Sequence, residues 1–93
     1  MPRYLVERTF PDPLVIPQTD AGRAGCASVV AVNTEHQVTW LHSYVSPDRT
    51  KTFCVYDGPT PQAIRDAAAV NGLPVDTISE VSVLDPYFYT SGL

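Results

Sequence analysis

Four side chains of this sequence carry donor atoms that a divalent transition metal takes: the carboxylates of Glu7 and Glu80, the imidazole of His42 and the thiol of Cys54. Imidazole, thiolate and carboxylate span the ligand types used by zinc, nickel and cobalt, and strands hold such groups rigidly enough to coordinate. His42, in Trp40-Leu41-His42-Ser43-Tyr44, is the natural anchor. A ligating imidazole must be neutral, so a site of this kind weakens as pH falls through about 6.5. The four residues share no local metal motif: there is no CxxC pair and no HExxH. Only tertiary structure can bring them together. Each also has a plainer role, His42 as a histidine hydrogen-bonded in a subunit interface and Cys54, between Phe53 and Val55, as a small buried hydrophobe. Nucleophile elbow, phosphate loop and dinucleotide-binding glycine patterns are all missing from the sequence.

The elements that must position these groups follow from periodicity and punctuation. Residues 3–9 alternate as a first strand, which Pro11, Pro13 and Pro17 end. Thr19 or Asp20 caps a helix running to about Asn33, although Gly22 and Gly25 each cost about 1 kcal/mol relative to Ala in a helix interior. Residues 37–46 and 50–57, rich in β-branched and aromatic side chains, form a hairpin around Pro47-Asp48-Arg49. Thr60 caps a second helix with Pro61 in its first turn, and Asn71-Gly72 stops it. Residues 75–84 make a fourth strand, followed by the aromatic Tyr87-Phe88-Tyr89 tail. The order βαββαβ predicts an α+β, ferredoxin-like domain: a four-stranded antiparallel sheet ordered 4-1-3-2 with both helices on one face.

Side chains alternate across a sheet, so parity sorts them. If Tyr4, Val6, Leu41, Val45, Phe53, Val55, Val81 and Val83 face the helices, the other face collects Glu7, His42, Cys54 and Glu80, with Trp40, Tyr44 and Tyr56 lining a cavity around them. That face is expected to be covered by a second copy of the chain.

Ninety-three residues make one domain, 1–93, and a domain this small buries only about 60–65% of its unfolded surface, which favours a homodimer. The net charge of −4 is the wrong sign for a nucleic-acid partner. No stretch approaches the ~20 apolar residues of a membrane span, and no secretory signal is visible, so the expectation is a cytoplasmic protein with Cys26 and Cys54 reduced.

The segments Arg3–Phe10, Val38–Asp48, Lys51–Cys54 and Gly72–Val75 resemble a family of small bacterial proteins, a domain of unknown function whose best-described member is a dimeric, ferredoxin-like nickel-binding protein. The resemblance runs from about residue 2 to residue 89; the stretch from Val15 to Asn33 carries no matching motif. It implies a cytoplasmic homodimer that binds nickel, or zinc or another divalent transition metal in its place, buffering or sequestering the ion without an established reaction. Its polar motif positions fall on Glu7, His42 and Cys54. The alternative is a small oxygenase- or isomerase-like enzyme, or a ligand-binding dimeric α/β barrel, with His42 as acid or base and Glu7 orienting it.

Overall fold

A computed structural model describes residues 1–87 and contains β1 (Arg3–Thr9), α1 (Asp20–Glu35), β2 (Thr39–Val45), β3 (Lys51–Asp57), α2 (Pro61–Asn71) and β4 (Thr77–Val81). The strands form one antiparallel sheet ordered β2-β3-β1-β4, which is the expected order counted from the other edge. Both helices pack on a single face. Ile64 of α2 joins Tyr4 and Val6 of β1, Cys54 and Tyr56 of β3, and Val38 in the buried core. The helix ends obey the local chemistry of their residues. Thr60 Oγ1 accepts from the Ala63 N–H at 3.1 Å, and Gly72 takes the left-handed conformation, φ 69°, that closes α2.

The β2–β3 turn is built by polar side chains. Asp48 accepts from the Ser46 hydroxyl, the Thr50 hydroxyl and the Thr50 N–H, while Arg49 adopts φ 62°. Arg49 also ties the turn to the segment between β1 and α1: its Nε donates to the Leu14 carbonyl at 2.7 Å, and the Leu14 N–H donates back to the Arg49 carbonyl at 2.7 Å.

β4 is shorter than the expected 75–84. Among the described residues it pairs with β1 alone, and the ladder ends where Val81 pairs with Arg3; the preceding Pro2 turns its carbonyl to the β3 side, where it accepts from the Gly58 N–H at 3.1 Å. Val83 and Leu84 are exposed. Of the aromatic tail, Phe88 and Tyr89 lie outside the described residues.

The distribution of side chains between the two faces corrects the parity expectation for three strands. β1 is as expected, with Tyr4 and Val6 inward. Since Val6 pairs with Cys54 and Tyr4 with Tyr56, β3 buries Thr52, Cys54 and Tyr56 and turns Phe53 and Val55 outward. The polar-tipped set is tolerated inside because its polar atoms are partnered: Tyr56 Oη accepts from Arg8 and the Cys54 thiol donates to Thr52 Oγ1. In β4, Ile78 pairs with Val6 and Glu80 with Tyr4, so these belong to the helix side and Val81, opposite Arg3, to the open side. In β2 a bulge falls between Trp40, opposite Tyr56, and His42, opposite Val55. Trp40 and His42 therefore share parity but face opposite ways.

Candidate functional site

The open face of the sheet carries Glu7 and His42, as expected, together with Tyr44. Glu7 is fixed by Thr77, whose hydroxyl donates to Oε2 at 2.7 Å, and by Lys51, 3.8 Å from Oε1. The Lys51 ammonium in turn lies 5.7 Å from the centre of the Phe53 ring. His42 is exposed, with the Tyr44 ring edge-on at 5.2 Å. Arg3 and Asp57 close one end of the face through a pair of hydrogen bonds at 2.8 and 3.3 Å. That fork, through its hydrogen bond above all, holds the Asp57 carboxyl below its ordinary range.

Glu7 and His42 share the face without meeting. They are two strands and one pleat apart, a Cα separation of about 12 Å from sheet spacings. Cys54 and Glu80 are on the other side. Cys54 is buried beneath α1, and Glu80 lies beside Tyr4, whose phenol is pushed up first by burial and then by this carboxylate. Among the described residues no group of three or more His, Cys, Asp or Glu side chains is close enough to hold an ion. The aromatic lining expected around His42 is likewise divided: Tyr44 stays, whereas Trp40 and Tyr56 pack toward the helices.

On the helix side the structure opens a cavity of about 300 Å³ between the sheet, α1 and residues 10–17. Its walls are largely apolar, from Leu14, Ile16, Val29 and Trp40, and both free thiols, Cys26 and Cys54, reach it. Arg8 also lines it, 2% exposed. Its Nη1 donates to the Pro74 carbonyl at 2.6 Å and its Nη2 to Tyr56 Oη at 3.1 Å; Nε is buried with no hydrogen-bond partner. Burial pushes the Tyr56 phenol up, and the Arg8 charge pulls against it. Arg8 escaped the sequence reading although a signal was present. It continues the inward Tyr4, Val6 alternation and is a charge where the stripe calls for an apolar residue.

The fold and site define a two-layer, ferredoxin-like α+β domain with α1 and α2 together on one face of its sheet, a class that supports many functions. Within that class the chain belongs to the family described as "Nickel responsive protein SCO4226-like", whose model matches residues 4–81. The crystal structure of SCO4226 from Streptomyces coelicolor A3(2) superposes with a TM-score of 0.71, covering 89% of this chain and 99% of that one at 17% identity, a likeness of fold. No curated protein matches. Among the described residues no helix is long and apolar enough to cross a membrane.

Proposed function

We propose that this chain binds nickel(II) as cargo, buffering or sequestering it, at sites completed between two copies that pair through their open sheet faces. Membership of a nickel-responsive family is the observation that carries this reading. The arrangement of donors supports the two-copy form. His42 and Glu7 lie on the face opposite α1 and α2, on strands separated by β3. In a two-fold interface residue i meets j and j meets i, so a site shared by His42 of one copy and Glu7 of the other would occur twice. Leu5, Phe53, Val55 and Tyr44 supply apolar area between them. Cys54 and Glu80, on the opposite side of the sheet, stay outside this ligand set. Imidazole with carboxylate and water is a donor set that suits nickel(II).

Calorimetric titration of tag-free protein with nickel chloride tests the proposal. Wild type is expected to bind about one nickel per chain, His42→Ala to lose that binding, and Cys54→Ser to retain it. No nickel uptake by wild type, or full uptake by His42→Ala, would overturn it.

A further inference from the structure

We propose a second ligand site, separate from the open face: the cavity under α1 binds a small organic monocarboxylate with an apolar body, its carboxylate received by Arg8. Arg8 is the observation that points to a ligand. A guanidinium 98% withdrawn from solvent is costly unless an anion or a full set of acceptors attends it. Arg8 has neither. Its two terminal nitrogens meet a carbonyl and a phenol, its Cζ lies 5.9 Å from the centre of the Tyr56 ring, its Nε has no hydrogen-bond partner, and no carboxylate pairs with it among the described residues. The same side chain lines a cavity of about 300 Å³, at the lower end of the sizes that hold small organic ligands.

The chemistry of the walls selects the class of anion. Inorganic phosphate or a nucleotide needs several donors around its oxygens, and this cavity supplies one cation among Leu14, Ile16, Val29 and Trp40. The Trp40 N–H is already given to Ser43 Oγ at 2.8 Å, leaving its ring as an apolar wall. One charge at the end of an apolar chamber matches a medium-chain fatty acid or a single-ring aromatic acid, while the volume is too small for a long acyl chain. Val15 and Ile16, cavity-lining residues that are 76% and 44% exposed, mark where the chamber reaches solvent.

Octanoate, octan-1-ol and inorganic phosphate, each titrated into nickel-free wild-type protein and followed by amide chemical shifts, test the site. Octanoate is expected to bind saturably, shifting Arg8, Val29 and Trp40, with octan-1-ol weaker by about tenfold or more and phosphate without effect at these residues. Arg8→Met is expected to erase the preference for octanoate over octan-1-ol. Should that variant fail to fold, Gly25→Leu, which leaves Arg8 in place and fills the chamber from a position where a Cβ meets nothing within 4 Å, is expected to abolish binding of both. Equal affinity for acid and alcohol, a phosphate preference, or octanoate shifts confined to the open face would each overturn the proposal. None of these readouts depends on nickel.

Discussion

Among individual residues, the pairing of Arg3 with Asp57 has a consequence that titration reveals. Asp57 is held below the ordinary carboxylate range by the Arg3 hydrogen bonds, and Asp48 is held there by the Ser46 hydroxyl first and then by Thr50. A depressed folded value means that stability from these groups is present above the unfolded carboxylate value of about 3.9 and is lost as pH falls through the lower folded values. Thermal unfolding midpoints measured from neutral pH downward are therefore expected to stay level until about pH 4 and then fall. Asp57→Asn and Asp48→Asn should each lower the neutral-pH midpoint and flatten the fall, and an unchanged acid slope in both variants would refute the assignment.

At the level of elements, the two glycines of α1 do opposite things, although both look like the same liability in a helix. A Cβ at Gly22 would lie 1.8 Å from the Pro17 carbonyl oxygen, so the missing side chain is what lets the 10–17 segment close against the helix. At Gly25 a Cβ meets nothing within 4 Å. Gly22→Ala is expected to destabilise by about 1–3 kcal/mol through forced backbone movement, and Gly25→Ala to stabilise by about 0.5–1 kcal/mol through the unfolded chain's lost freedom. Urea unfolding of the pair checks both, and shifts of the same sign would contradict the close approach at Gly22.

The elements also show what the sequence could and could not disclose. Strand and helix positions were legible to within a few residues because proline, the Thr60 cap and Gly72 act locally. The faces were not, because parity gives two answers per strand and only pairing chooses between them. Tyr4 opposite Tyr56 and Val6 opposite Cys54 decide the matter for β3, and a strand's register with its neighbour is not written in either strand alone. Of the expected cluster, Glu7 and His42 were placed on the correct side, while Cys54 and Glu80 were inverted with their strands. Trp40 was separated from His42 by the bulge, which no residue in Trp40-Leu41-His42 announces.

For the molecule as a whole, α1 and α2 share one face of the sheet and neither covers the other face. If two copies pair through the other face, as proposed, loading it with charge separates them without disturbing the helix-covered one. Val55 sits at its centre between Leu5 and His42, so Val55→Lys is expected to shift the sedimentation mass from twice 10.2 kDa to 10.2 kDa while keeping the far-ultraviolet spectrum of wild type. Nickel uptake should fall with it, although neither His42 nor Glu7 has been altered. A monomeric variant that still takes up nickel at wild-type affinity would place the ion within a single chain.

The bulge at Leu41 bears on how this chain tolerates changes of length. Its ladder already skips Leu41, so losing that one codon would leave Trp40 opposite Tyr56 and His42 opposite Val55, with every later residue of β2 on the side it now occupies. The register of β1 with β3 has no such slack, and a single-codon deletion within either would carry all the residues beyond it to the wrong side. Insertions and deletions among descendants of this sequence should therefore be found at Leu41 and avoided in the two central strands, and the histidine would keep its place through the change.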